Sequence, residues 1–412
     1  MLYEKLKSHS VRNFTIVLCF FLISRIGIYT VAYFGYNLFP KYTERPQYTQ
    51  DEKGYTRLET PDFVYETHFP SVKDFIKFDS GFYLRIAERG YDTYRMDEPH
   101  PAADWPFFPL YPMLIRLVCF ITPLGAATAA MLLSNLFGFL GIYLIYLIAR
   151  SMTGEDETAR SSILYMLIYP ASIYLSMAYT ESLFIFLSAL SVYLYMNKKT
   201  GWSILAASLS TVARIPGIAN LFFIAFCMVR EAKWNFRSIP LKRYLQFVLS
   251  GGPLLAFFTY MYFLTGDFLA VFHELSLNWG RTTSVPFLSY IGYFFYPSFI
   301  QPGGWDLGLA SFLFTTFALA VYIRFFRSRR WDKPYALELA VYGLVLVLIP
   351  LSSASYTMTS VIRYYMASFP LFIFLAMAAK EKRLLDFTFI TLFLSFNVIY
   401  TIAYINEYFF VV

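Results

Sequence analysis

The sequence predicts an all-α integral membrane protein, a multi-pass bundle of about eleven transmembrane helices with surface helices in a large first outer loop. Two observations lead there. Hydrophobic residues make up 58% of the 412 and charged residues only 15%, against about 25% charged in a soluble domain. That leaves too little polar material to coat a soluble globule, and too much apolar material for disorder. Apolar runs able to cross about 30 Å of hydrocarbon also recur along the chain, separated by basic junctions. The net charge of +7 therefore reads as positive-inside topology rather than as a nucleic-acid surface. Cys19, Cys119 and Cys227 lie scattered in apolar stretches. They form no disulfide framework and no zinc spacing.

The first run, 13–39, follows Lys5, Lys7 and Arg12, which puts the N-terminus in the cytoplasm. It is too long for a signal-peptide core and reads as an uncleaved anchor. Residues 40–104 are polar and hold thirteen acids against nine basic residues. This acidic stretch is placed outside. The segment 105–124 opens with Trp105-Pro106-Phe107-Phe108-Pro109-Leu110-Tyr111-Pro112, which suits an interfacial or re-entrant piece rather than a crossing. Further spans follow at 126–149, 161–178, 182–197, 201–214, 216–230, 244–265, 305–326, 334–353, 360–379 and 384–405. The junctions Lys198-Lys199, Arg230 to Arg243, Arg324 to Lys333 and Lys380 to Arg383 are basic and hence cytoplasmic. Arg214-Ile215-Pro216-Gly217 interrupts 201–230, so two short helices with a turn inside the bilayer are expected there. No repeat of 20–50 residues occurs. One membrane domain is expected, 1–412, with 40–124 as an outer loop within it.

Topology accounts for most of the 34 basic residues, but not for Arg25, Arg116, Arg214, Arg281 and Arg363. Arg25, Arg214 and Arg363 lie in or near membrane depth, where an unpaired charge costs several kcal/mol. Arginines facing a cavity can grip an anion bidentately, phosphate above all. They can equally snorkel or pair with a buried carboxylate. Glu181 begins an apolar run after Thr180. It reads as a helix N-terminal acid behind a threonine cap, or as a partner for Arg214.

In the polar stretch, Phe78-Asp79-Ser80-Gly81-Phe82-Tyr83-Leu84-Arg85-Ile86-Ala87-Glu88-Arg89-Gly90 reads as a short amphipathic surface helix. Phe82, Tyr83 and Ile86 make its apolar face, and Arg85, Glu88 and Arg89 its polar one. Gly90 suits a left-handed C-terminal position. Asp79 fits an N-cap, and an ionised carboxylate there fits a general base as well. Asp97, Glu98 and His100 form the one cluster near metal-ligand spacing. No second histidine supports it and Pro99 breaks the register, so no metal and no cofactor are expected. His68 and His273 stand alone in sequence. Phosphate-cradling glycine loops and Gly-x-Ser-x-Gly are absent.

Five pieces in this order carry a resemblance: Phe78 to Ala87 with Gly90-Tyr91, Phe107 to Pro112, Tyr179 to Ser182, Arg214 to Gly217, and Arg363-Tyr364 with Phe369-Pro370. Together they resemble the PIG-V-type mannosyltransferases, which act in GPI-anchor synthesis and have prokaryotic relatives. Phe78 departs from the tryptophan usual there. The resemblance implies a GT-C fold with a catalytic carboxylate in the first outer loop. It implies a polyprenyl- or dolichyl-phosphate mannose donor and a glycan or glycolipid acceptor. Carried onto this sequence, Asp79 is the base, and Arg363, Arg214 and Tyr364 hold the donor phosphate. Glu181, Arg25 and Arg85 support them, while Phe107, Phe108 and Tyr111 pack on sugar or lipid.

The competing classes are a transporter or lipid flippase, a silent scaffold subunit, and the same fold using another sugar. Transporters usually show matched halves with breaks at corresponding positions. Here Arg214-Ile215-Pro216-Gly217 has no later counterpart. The one glycosylation sequon, Asn13-Phe14-Thr15, lies on the cytoplasmic flank. This favours a bacterial or archaeal plasma membrane over that of the endoplasmic reticulum.

Overall fold

The structure is a computed structural model. It describes residues 2–38, 41–42, 47–50, 56–59, 62–64, 67, 69–295, 308–329, 331–354, 360–380, 382–408 and 411. Among the described residues the protein is all-α apart from short ribbons. Antiparallel pairing joins Lys41–Tyr42 to Phe63–Val64, Gln47–Gln50 to Thr56–Glu59, and Thr282–Thr283 to Ser353–Ala354. The sequence reading contained none of these ribbons. Two of them lie in the polar stretch, where no apolar periodicity marks a strand.

Among the described residues five helices are long and apolar enough to cross a membrane: Val11–Leu38, Ala126–Thr153, Leu241–Thr265, Leu309–Ser328 and Arg383–Ile405. At 1.5 Å per residue, 28 residues reach about 42 Å, well beyond about 30 Å of hydrocarbon. Their outward faces carry Ile23, Ile26, Val248, Leu249, Leu384 and Phe387, all more than 60% exposed. Water would not tolerate so continuous an apolar surface, whereas lipid does.

Shorter apolar helices fill the middle. Phe369–Ala379 is buried almost throughout, as is most of Glu181–Met196. A helix apolar on all sides belongs inside. Two expected spans are broken. Pro170 ends Asp156–Ile168, and the chain continues as the 3-10 turn Pro170–Leu175. The 360–379 stretch divides into Val361–Tyr365 and Phe369–Ala379. The 201–230 stretch is the expected pair of short helices, Thr200–Thr211 and Ile218–Glu231, joined through Ile215–Gly217. A Cβ on Gly217 would sit 2.3 Å from the Ser210 carbonyl carbon, so only glycine fits this turn. Leu110–Ile121 is about 18 Å long, too short to cross.

Polar contacts mark both ends of the bundle. At one end ion pairs join the helix termini: Arg150 to Asp156 at 2.8 Å, Arg230 to Glu338 at 2.6 Å and Lys380 to Glu155 at 2.8 Å. At the other, hydroxyls bond to the main chain. Tyr404 donates to Phe75 O at 2.9 Å, Tyr179 to Lys77 O at 3.1 Å and Tyr111 to Ala130 O at 2.9 Å. The short helix Ser80–Arg89 packs on this second end, against Leu110–Ile121 and Ala126–Thr153.

Candidate active site

The segment before Asp79 is tied down by the tyrosine bonds to Phe75 O and Lys77 O. Phe78 then takes a left-handed φ of +51°, which a bulky residue adopts only when its surroundings enforce it. That turn delivers Asp79 to the head of Ser80–Arg89, at the N-cap position. Its side chain makes no capping hydrogen bond. Instead Oδ2 accepts from Arg363 Nη1 at 2.9 Å. The helix ends at Gly90, with φ +90° and ψ −174°. This is a glycine-only region, though not the left-handed helical one expected.

Arg363 lies between Tyr174, Tyr179 and Tyr364, its guanidinium 5.1–5.4 Å from each ring. It is 4% exposed. Its Nε approaches Glu181 Oε1 at 3.4 Å. Glu181 is the first residue of Glu181–Met196, and Arg214 binds the same Oε1. Both readings of Glu181 therefore hold: it is the N-terminal acid and the Arg214 partner. Thr180 makes no capping bond; its hydroxyl meets Tyr83 Oη at 3.2 Å. Arg214 sits in extended backbone just before the Ile215–Gly217 turn, with its guanidinium 5.1 Å from the Tyr364 ring. Tyr364 Oη accepts from Arg281 Nη1 at 2.7 Å and from Arg363 Nη2 at 3.3 Å. Arg281 Nη2 donates to Ser360 Oγ at 3.1 Å.

Three arginines thus converge on Tyr364, against two carboxylates, Asp79 and Glu181. Desolvating a charge costs several kcal/mol, and pairing offsets it for Arg214 and Arg363. The cluster keeps an excess of one positive charge, which fits an anion. Asp79 retains about a fifth of its side-chain surface exposed.

Other expected site residues lie elsewhere. Arg25 is buried but donates to Ser172 O at 2.7 Å and Ser176 Oγ at 3.2 Å. The 3-10 turn leaves these groups open, and Arg25 satisfies them instead of joining the cluster. Arg85 lies over the Phe82 ring at 4.6 Å, with Asp92 3.9 Å away. Arg116 closes the Ser80–Arg89 helix by donating to Ala87 O and Ile86 O. Phe107, Phe108 and Tyr111 were expected against sugar or lipid. They are interior: Phe107 stacks on Phe82, Phe108 meets Phe257 and Tyr111 bonds to Ser134.

The Asp97, Glu98 and His100 cluster is divided. Asp97 faces Arg95, while His100 Nε2 lies 3.9 Å from Glu274. Among the described residues no three of His, Cys, Asp and Glu converge. His273 is not alone, since Asp267 pairs with it; His68 lies outside the described residues. Beside Arg85, the Asp104 carboxyl is buried and exchanges main-chain contacts with Asp92. Burial first, then the Asp92 charge, pushes it up to about 6. Tyr83, Tyr174, Tyr179 and Ser360 border the cluster, and none was a candidate site residue from the sequence. Only Arg281 was signalled, as an arginine that topology left unexplained.

The family model described as Mannosyltransferase (PIG-V) matches residues 14–321. It spans Asp79, Glu181, Arg214 and Arg281; Arg363 and Tyr364 join the cluster through their contacts. GPI mannosyltransferase 2 of Schizosaccharomyces pombe is 26% identical over 142 residues, 34% of this chain and 30% of that protein. The aligned stretch thus covers less than a third of that relative. With most of its length matched by the family model, the chain belongs to the mannosyltransferase (PIG-V) family.

Proposed function

We propose that this protein is a glycosyltransferase that moves mannose from a polyprenyl- or dolichyl-phosphate donor to a lipid-linked or cell-surface glycan acceptor, with inversion. The observation that carries this reading is the Asp79 carboxylate on Arg363, inside a cluster with one excess positive charge. The isoprenoid tail would lie in lipid beside the bundle. The donor phosphate would enter beside Arg363, Arg214 and Tyr364, where arginine favours its charge.

Asp79 would take the proton from an acceptor hydroxyl as that oxygen attacks the anomeric carbon. The new C–O bond forms while the bond from the anomeric carbon to the phosphate oxygen breaks. The leaving group departs as a lipid phosphate with one added negative charge. It is a good leaving group, so no strong general acid is needed. In-line attack turns a β-linked donor into an α-mannoside. Glu181 acts here by orienting Arg214 and Arg363.

The topology belongs to the same proposal. We read a single membrane domain with about eleven crossings, a cytoplasmic N-terminus and the reacting end outside a bacterial or archaeal plasma membrane. The basic ion-paired end would then face the cytoplasm. The test is transfer by the purified protein in lipid, followed by mass spectrometry of lipid-linked glycans. A hexose added from polyprenyl-phosphate mannose but not from GDP-mannose is expected. Transfer from the nucleotide sugar alone would overturn the donor assignment. Uptake or flipping without a glycosyl product would overturn the reaction.

A further inference from the structure

Arg281 stands apart from its two neighbours at Tyr364. Arg214 is held by Glu181, and Arg363 by Asp79 and Glu181. Among the described residues Arg281 pairs with no carboxylate; its guanidinium donates to two hydroxyls, on Tyr364 and Ser360. It is half-buried, on the segment after Ala270–Asn278. The arm is fixed in place. Arg281 N bonds to Leu275 O at 3.0 Å, Thr282 and Thr283 pair with Ala354 and Ser353, and Ser284 N bonds to Ser352 O at 2.7 Å. Ser360, which receives the guanidinium, holds a left-handed φ of +65°. A purely structural arginine saturates itself on main-chain carbonyls, as Arg116 does. A hydroxyl acceptor brings no negative charge to the guanidinium, whereas a phosphate oxygen adds a full ion pair to the hydrogen bond.

We propose that Arg281 is the residue that receives the donor's phosphate, and that Arg363 is released to it only as the reaction proceeds. The inference rests on the lipid-phosphate donor read above. The charges support this order. The three arginines and two carboxylates leave one positive charge, and a phosphodiester monoanion cancels it. During transfer the acceptor proton goes to Asp79, and the bond from the anomeric carbon to the phosphate oxygen breaks. The lipid phosphate leaves with two negative charges. Neutral Asp79 no longer competes for Arg363, so that guanidinium meets the second charge while Arg281 keeps the first.

The test uses the full chain in nanodiscs, with polyprenyl phosphate and uncharged polyprenol as probes. Wild-type protein should prefer the phosphate. Arg281→Gln keeps donors for Tyr364 and Ser360 but loses the charge. It should bind polyprenyl phosphate about tenfold more weakly or worse and bind polyprenol unchanged. It should also raise the donor KM while the acceptor KM stays fixed. A folded Arg281→Gln protein that keeps the wild-type preference removes Arg281 and leaves the donor reading intact. Wild-type protein that does not distinguish the two lipids overturns both. A measurement without any variant follows arginine modification by phenylglyoxal, read by mass spectrometry of the Arg281 peptide. Protection by polyprenyl phosphate and not by polyprenol is expected. Equal labelling with and without saturating phosphate overturns the assignment.

Discussion

Glu181→Gln separates a structural acid from the centre of a charge cluster. The glutamate is 3% exposed and serves both Arg214 and Arg363 through one oxygen. Glutamine keeps its shape and one acceptor but removes its charge. The buried Arg363 and the half-buried Arg214 would then share the cluster with Asp79 alone. Breaking a buried ion pair by removing one partner costs about 3–5 kcal/mol, and that is the expected loss. A merely dipole-favoured acid at a helix start would lose about 0.3–1 kcal/mol. The assay is equilibrium unfolding in detergent micelles of the wild type, Glu181→Gln, Arg214→Gln and the double variant. Because the pair shares a contact, the double variant should recover at least about 1.5 kcal/mol relative to the sum of the singles. A single-variant loss below about 1 kcal/mol, or additivity within about 0.5 kcal/mol, would refute the cluster.

Three other outcomes follow from particular residues. Asp104 titrates at about 6 in the folded protein, raised by burial from its ordinary 3.8. The folded state therefore holds the proton more tightly, and this group's contribution to stability falls as pH rises from about 4 through 6. Asp104→Asn should flatten that decline in melting curves across the window, and an unchanged slope would count against the burial argument. Arg25→Met should lower stability by about 1–3 kcal/mol, because Ser172 O loses its charged donor, while the donor KM stays as in the wild type; a raised KM would return Arg25 to the site. Turnover should survive EDTA, since arginines supply the positive charge; full loss with recovery on adding a divalent cation would contradict this.

Much of the bundle was legible because apolar runs and their breakers are local signals. Pro216 and Gly217 interrupt 201–230 in sequence, and the turn stands there. Asp79, Glu181, Arg214 and Arg363 share one cluster although about 280 residues separate the ends. Their marks were charges in apolar surroundings without topological reason. The same mark failed for Arg25, because a buried arginine can be satisfied by main-chain carbonyls that no sequence pattern reveals. The aromatics Phe107, Phe108 and Tyr111 carried no such mark. An aromatic facing the core and one facing a ligand have the same composition, and only packing separates them. Asp79 as an N-cap was a sound local inference that a long-range partner overrode. The role of Arg281 depends on what its neighbours already hold, a property of the assembled cluster rather than of its own segment.

In the proposed reaction Asp79 takes the acceptor proton. The most direct test of this step is single-turnover transfer from polyprenyl-phosphate mannose by Asp79→Asn, in protein shown to be folded and to bind the donor. A fall of about 10²- to 10⁴-fold is expected, with donor binding retained. Near-wild-type turnover would contradict it.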